Sequence, residues 1–159
     1  TTCLRFFTVY GPCGRPDMAL FKFAEAIAAG APISIYGEGR MRRDFTYVDD
    51  VVAAIDRLIG VAPVKGQPVS SADSLSAVAP WRVVNIAGGR PVELMRFVTA
   101  IEAAMGREAK KELLPMQPGD VTETAADVAL LRALVGEVPT TEVEVGVRAF
   151  CDWFKGWRG

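Results

Sequence analysis

Arginines on turns, a few hydroxyls and a few carboxylates are the residues of this sequence best equipped for chemistry. Arg15 sits in a loop, residues 11–16, with two Gly and two Pro. A planar guanidinium on so stiff a support suits bidentate capture of a carboxylate or phosphate. Arg40, Arg42 and Arg43 crowd together before Asp44. On an extended chain Arg42 and Arg43 face opposite ways, so one of them can turn inward toward an anion. A diphosphate calls for two or more such charges. The plainer alternatives are a solvated loop arginine for Arg15 and, for the cluster, a solvated basic turn paired with Glu38, Asp44 and Asp49. Arg5 and Thr8 interrupt an apolar run over residues 3–9. A buried polar group without a partner costs about 1–3 kcal/mol. Open α/β sheets bind ligands at the carboxyl ends of strands, which favours Thr8 over Arg5, unless Thr8 satisfies a backbone carbonyl. Asp120 follows Pro118-Gly119, where it either meets a ribose hydroxyl or closes an Asx-type turn.

Other chemistries are excluded by composition. The 159 residues contain no histidine, which removes Ser-His-Asp and Cys-His catalysis and histidine metal sites. Cys3, Cys13 and Cys151 are odd in number and far apart, so neither a zinc site nor a disulfide framework is expected, and reduced thiols in a cytoplasm fit better. A net charge of −1 gives no electrostatic case for nucleic acid or a membrane surface. No apolar run approaches the roughly 18 residues of a membrane span. Gly37-Glu38-Gly39 and Gly88-Gly89 lack the G-x-G-x-x-G form and read as turns. The chain opens on Thr1-Thr2-Cys3-Leu4, inside what reads as a strand, so it is expected to be a piece of a longer protein.

The elements that must position these residues follow from periodicity and punctuation. Residues 3–9 read as a buried parallel strand stopped by Tyr10-Gly11-Pro12. Asp17 is the expected N-cap of a helix on Ala19, Leu20, Phe23 and Ile27 that ends near Gly30. A short strand over 33–36 and a second over 43–47 flank the Gly37-Gly39 turn. Asp49 or Asp50 opens a helix that Gly60 ends. Residues 61–80 carry Pro, Gly and Ser without periodicity and read as a flexible loop. A strand over 82–86 precedes Gly88-Gly89, and Pro91 is expected at N1 of a helix closed by Gly106. An edge strand over 110–114, a short helix capped by Asp127 and a last helix on Val143, Val147, Phe150, Trp153 and Phe154 complete the pattern. Helices mix with short strands, without the strict alternation of a complete doubly wound sheet.

Four blocks then carry a resemblance. They are residues 4–23, Met41-Arg42-Arg43-Asp44-Phe45-Thr46-Tyr47-Val48-Asp49-Asp50, Val84-Asn85-Ile86, and Met116-Gln117-Pro118-Gly119-Asp120-Val121. Together they resemble the NAD-dependent sugar-nucleotide epimerases and dehydratases, the extended short-chain dehydrogenase/reductases. Within that family they look most like the branch that epimerises UDP-glucuronate at C4. The resemblance covers essentially the whole chain but only the C-terminal half of such a protein. It implies an α/β fold: the last Rossmann-sheet elements plus a small mixed α/β substrate-binding domain. Residues 1–159 would then be the substrate-binding portion, and the NAD-binding Rossmann part would lie outside this chain.

The resemblance also implies roles. Thr8 and Arg15 would hold the sugar and its carboxylate, with Arg15 selecting a uronic acid. Met18 and Ala19 would line the nucleotide, and Ser34, Ile35 and Tyr36 would frame the uracil. Arg43 would clamp the diphosphate, Asn85 would sit near the nucleotide, and Gln117 and Asp120 would close over diphosphate and ribose. The family uses NAD and a Tyr-x-x-x-Lys pair. Here Tyr10, Tyr36 and Tyr47 are followed four residues on by Gly14, Arg40 and Val51, so no catalytic residue is assigned and the chain alone should not turn over. The partners implied are a UDP-sugar and, for the full enzyme, a homodimer. Two further readings stand beside this one. The first is another nucleotide-sugar 4-epimerase or 4,6-dehydratase. The second is a non-catalytic nucleotide-sugar binding or assembly module.

Overall fold

The structure, a computed structural model, describes residues 1–158. In chain order the elements are β1 (Thr2–Phe6), β2 (Thr8–Tyr10), α1 (Ala19–Ala29), β3 (Pro32–Ile35), β4 (Arg42–Arg43), β5 (Phe45–Tyr47), α2 (Val48–Ile59), β6 (Arg82–Ile86), β7 (Val92–Glu93), α3 (Leu94–Met105), β8 (Lys110–Leu113), α4 (Ala129–Val135) and α5 (Val143–Arg158). A 3-10 turn, Tyr36–Gly39, joins β3 to β4. The architecture is α/β, and the chain divides into two compact units. The first comprises Thr1–Val9, Asp44–Arg90 and Ala125–Thr140, and the second Tyr10–Arg43, Pro91–Thr124 and the segment from Thr141 on.

In the first unit β1 runs parallel to β6 in the register Thr2↔Arg82 to Phe6↔Ile86, and β2 pairs with β5. The core gathers Val51, Ala54 and Leu58 from one face of α2, Val84 and Ile86 from β6, and Leu131 from α4. The α2 residues recur at three and four positions, so a single stripe of the helix reaches the strand. Residues 61–80 form no helix or strand, but they are tied to β6. Ser74 Oγ accepts from Val83 N at 2.9 Å and donates to Val83 O at 2.5 Å. Asp73 lies 3.6 Å from the buried Arg82 guanidinium.

In the second unit α1 packs on β3 and α3, and α3 packs on α5. Leu20, Phe21, Ala24 and Ile27 are the buried side of α1. Phe97 and Ile101 of α3 and Phe150 and Phe154 of α5 are nearly inaccessible as well. Phe21 stands edge-on to Phe154 at 5.2 Å between ring centroids, the geometry that ring quadrupoles prefer. Each such side chain stabilises the unit by up to about 2–3 kcal/mol through burial. β3 pairs in parallel with β8, and β4 in antiparallel with β7. Gly30 and Gly106 close α1 and α3 in left-handed conformations, with φ of 70° at both, as their C-terminal positions predict.

Several local expectations are overturned. The first strand breaks at Phe7 and is not fully buried: Phe6 is 49% exposed. Arg5 is exposed, so it needs no buried partner. Asp17 does not cap α1; its N-cap residue is Met18, without a side-chain bond. The carboxylate of Asp17 pairs with Arg15 instead. The expected strand over 43–47 splits at Asp44, a fully buried residue. Pro91 is not at N1, because β7 intervenes and α3 starts at Leu94. α2 starts at Val48, which leaves Asp49 and Asp50 within its first turn rather than before it. Acidic groups there are favoured by the helix dipole.

Candidate functional site

In the second unit, the 36–39 turn gathers several of the residues singled out by sequence. Gly37, Glu38 and Gly39 all take positive φ, of 59°, 53° and 76°. A side chain at Gly39 would stand 2.8 Å from Met95 Sδ, so glycine is required both for φ and for the close approach. Leu114 stitches the turn to the segment after β8: its N–H donates to Ile35 O at 2.8 Å and its carbonyl accepts from Glu38 N at 3.2 Å. Met41 and Met116 pack over Gly37.

Further along, Arg42 N donates to Thr122 O and Thr124 N to Arg42 O, at 2.9 and 3.1 Å. Residues 114–124 are therefore held at both ends against 35–43. Ser34, Ile35, Tyr36 and Arg43 lie on one side of this join, and Gln117 and Asp120 on the strap between its anchors. Ser34 is exposed, Ile35 is buried and Tyr36 is half-buried. Gln117 and Asp120 are exposed and close a turn through Asp120 N and Gln117 O at 3.1 Å.

Arg42 and Arg43 do diverge. Arg42 bonds Glu123 and the Pro91 carbonyl, both at 3.2 Å. Arg43 is half-buried and lies against its own strand. Its Nη1 donates to Arg42 O at 2.9 Å and to Thr122 O at 3.4 Å, and its Nη2 approaches Met41 Sδ at 3.4 Å. A thioether is a weak acceptor, so that edge of the guanidinium is only lightly held. Arg40 pairs with Glu38 at 2.9 Å, as expected of a basic turn.

Arg15 stands at the mouth of α1. Its Nε donates to Asp17 Oδ1 at 3.0 Å and its Nη2 to Asp17 Oδ2 at 2.6 Å, a two-pronged contact. The hydrogen bond, then the charge, raises the Arg15 pKa, and the same bond lowers that of Asp17. Both groups are open to solvent. Met18 Sδ lies 3.9 Å from the same Nη2, and Ala19, exposed, begins the helix. The loop thus already presents Arg15 to a carboxylate in the bidentate manner a ligand would require.

Thr8 and Asn85 belong to the first unit. Thr8 is half-buried at the start of β2, not at the end of β1, and its N–H donates to Asp44 O at 3.3 Å. Asn85, in β6, donates from Nδ2 to Asp127 O at 2.9 Å. The Asp127 carboxylate accepts from Ala129 N at 2.8 Å, but the N-cap residue of α4 is Val128, so Asp127 stands one position before the cap expected of it.

The residue that sequence reasoning passed over is Asp44. Its Oδ1 accepts from Gly88 N at 3.1 Å and Gly89 N at 3.2 Å, and its Oδ2 from Gly89 N and Ala126 N, both at 3.1 Å. The signal was a carboxylate set between Arg43 and Phe45 in an extended stretch, but its partners lie 44, 45 and 82 residues on. The Gly-Gly turn therefore cradles an internal carboxylate, consistent with its reading as a turn and not as a phosphate loop.

Among the described residues, the Gly88-Gly89 turn after β6 does not offer its N–H groups to a phosphate. The one glycine pair that follows a strand is filled by Asp44, and no Tyr-x-x-x-Lys exists. Tyr47 is also wrong for a base: burial first, then Asp49 and Asp50, push its hydroxyl pKa upward. Among the described residues no cluster of carboxylates and thiols could hold a metal, and no helix is long and apolar enough to cross a membrane.

Part of the sequence and the fold match known proteins. Residues 1–69 match the NAD dependent epimerase/dehydratase family. It is 57% identical over 157 residues to a probable UDP-glucuronate 4-epimerase of Rhizobium meliloti, a match covering 97% of this chain and 46% of that one. Its fold matches the UDP-glucuronic acid 4-epimerase of Bacillus cereus, solved with UDP-glucuronic acid and NAD, at a TM-score of 0.78 and 29% identity, over 97% of this chain and 45% of that one. It also matches MoeE5, solved with UDP-glucuronic acid and NAD, at a TM-score of 0.80 and 31% identity, over 98% of this chain and 47% of that one. The chain spans just under half the length of these relatives.

Proposed function

We propose that this chain is the nucleotide-sugar binding portion of an NAD-dependent UDP-glucuronate 4-epimerase. The parent enzyme interconverts UDP-glucuronate and UDP-galacturonate by oxidation to a 4-keto sugar and re-reduction. The observation that carries the reading is the arrangement at Arg15. An exposed guanidinium on a Gly/Pro loop is already engaged two-pronged by a carboxylate, in a chain whose likeness to a probable UDP-glucuronate 4-epimerase runs almost end to end. A neutral sugar offers Arg15 no such partner.

In this reading Thr8 and Arg15 take the sugar and its acid, and Met18 and Ala19 line the nucleotide. Ser34, Ile35 and Tyr36 frame the base, and Arg43 neutralises the diphosphate. Asn85, Gln117 and Asp120 complete the nucleotide contacts. NAD supplies the hydride acceptor and donor when bound, and its site and the catalytic base belong to the remainder of the parent. The three unpaired cysteines support a reducing, cytoplasmic setting. A parent homodimer is part of the same reading, and light scattering of the full-length enzyme tests it.

The decisive experiment compares Arg15→Ala with the unaltered protein, using UDP-glucuronate and UDP-glucose as ligands. The uronate should lose far more affinity than the neutral sugar. Equal losses would remove Arg15 as the selector and leave a neutral-sugar 4-epimerase or 4,6-dehydratase as the better reading. The absence of a Tyr-x-x-x-Lys pair favours, as a second reading, a free-standing nucleotide-sugar binding module. Micromolar binding of UDP-glucuronate by the chain alone would support it.

A further inference from the structure

We infer that Asp44 is a positioning residue that holds Thr8 and Asn85 in place. The inference rests on the reading above of those two residues as nucleotide-sugar contacts. Asp44 is fully buried and touches three otherwise separate pieces of the first unit. Its backbone carbonyl accepts from Thr8 N at 3.3 Å. Its carboxylate accepts from Gly88 and Gly89, the turn that leaves β6, and so fixes the strand end that carries Asn85. It also accepts from Ala126 N at 3.1 Å, and the carbonyl of the next residue, Asp127, receives the Asn85 carboxamide. One side chain thus fixes both the strand that bears Asn85 and the acceptor that orients it.

The chemistry of the side chain is specific. Four short contacts reach two oxygens from three N–H groups, and both oxygens act only as acceptors. Thr46 Oγ1, at 3.2 Å, is a second acceptor for Gly88 N. An Asn at this position would turn an NH2 group toward at least one of the backbone donors. A buried donor facing a donor is left unsatisfied. Gly89 could not adapt by taking a side chain: its φ is 68° and a Cβ would meet Val128 Cγ2 at 2.9 Å.

The test uses the 159-residue chain, labelled with nitrogen-15, beside its Asp44→Asn variant. In the variant, exchange at the amides of Thr8, Gly88, Gly89 and Ala126 should accelerate by about tenfold or more, through local opening. The Asn85 carboxamide resonances should move toward their solvent-exposed values. Leu58 and Leu131, in the core of the same unit, should keep their protection. Uniform acceleration that includes Leu58 and Leu131, or an unmoved Asn85 carboxamide, overturns the inference by making Asp44 a stability residue only. Should the variant not fold, the unaltered chain decides: scalar couplings across the bonds from Gly88, Gly89 and Ala126 to the Asp44 carboxyl carbon are expected, and their absence overturns the inference.

Titration with UDP-glucuronate separates the two readings. If the unaltered chain binds and Asp44→Asn binds equally well, the positioning role falls while the proposed function stands. If the unaltered chain shows no affinity, the binding proposal falls, and the exchange data still judge Asp44.

Discussion

Arg15 and Asp17 face each other two-pronged, Nη2 to Oδ2 at 2.6 Å and Nε to Oδ1 at 3.0 Å. Residues two apart in one loop thereby form the contact a substrate carboxylate would have to replace. On the proposed reading, Asp17 would compete with the uronate for Arg15. Asp17→Asn, which keeps the shape and removes the charge, should tighten UDP-glucuronate severalfold and leave UDP unchanged. Isothermal titration calorimetry checks this. Equal tightening of UDP would point to a general gain of positive charge rather than to competition at Arg15.

Arg43 is held by carbonyls of Arg42 and Thr122 and by the thioether of Met41. None of these neutralises it, so it can accept a phosphate. Charge-assisted hydrogen bonds contribute roughly 1.5–3 kcal/mol each. Arg43→Ala should therefore weaken UDP and UDP-glucuronate by the same factor, about tenfold to a hundredfold. The difference from Arg15→Ala, which should act on the uronate alone, is visible in the same titrations. A loss confined to UDP-glucuronate would move Arg43 from the diphosphate to the sugar.

Acid should weaken the second unit. Arg96 of α3 bonds Glu144 of α5 at 2.7 Å, and this bond lowers the Glu144 pKa. Burial pushes Glu102 up, but the bond from Lys111, with that from Ala109, outweighs it and leaves the group lowered. A carboxylate lowered in the folded state adds stability that is present above its unfolded value, near 4.3 for Glu. That stability is lost as pH falls through the folded value. The urea midpoint should hold from neutrality to about pH 5 and decline below about pH 4, and Glu144→Gln should flatten the decline. An equally steep decline in that variant would put the acid sensitivity elsewhere.

The three thiols should separate by reactivity. Cys151 is inaccessible inside α5, and burial first, with Asp152 adding to it, pushes its pKa to about 11. Cys13 is exposed and Cys3 half-buried against Trp81, whose Nε1 lies 3.1 Å from its Sγ. At pH 8 a thiol reagent should modify Cys13 promptly, Cys3 more slowly, and Cys151 only on unfolding. Mass spectrometry after timed quenching reads the order. Prompt labelling at Cys151 would mean that α5 opens readily.

Local signals in this chain were legible where their causes are local. Gly30 and Gly106 end helices because an αL residue satisfies the last carbonyls without help from distant chain. The expected stripe of Ala19, Leu20, Phe23 and Ile27 found the helix but only half of its buried side, which is Leu20, Phe21, Ala24 and Ile27, with Ala19 exposed. The turn at Gly37-Glu38-Gly39 and the divergence of Arg42 from Arg43 follow equally from backbone geometry. Where two local roles competed, sequence reasoning chose wrongly. Asp17 had a cap and an arginine within reach and took the arginine, because an ion pair with two hydrogen bonds outweighs one amide bond. Pro91 was placed in a helix that begins at Leu94, because β7 must first pair with β4, a partner some fifty residues earlier.

What only the tertiary structure decided is the company each polar group keeps. Asp44 stood in plain view beside the arginines, yet nothing near it in sequence says that Gly88, Gly89 and Ala126 converge on it. Hydrogen bonds across 44 to 82 residues exist only after the strands pair and the core closes. Alternation alone left open which of Arg42 and Arg43 would face an anion, and the lodging of Arg43 against Thr122 and Met41 depends on a segment that returns about eighty residues later. The sequence by itself therefore named the candidates for meeting an acid or a phosphate. The fold determined which of them are already engaged, because burial and long-range closure, not spacing, choose a side chain's partner.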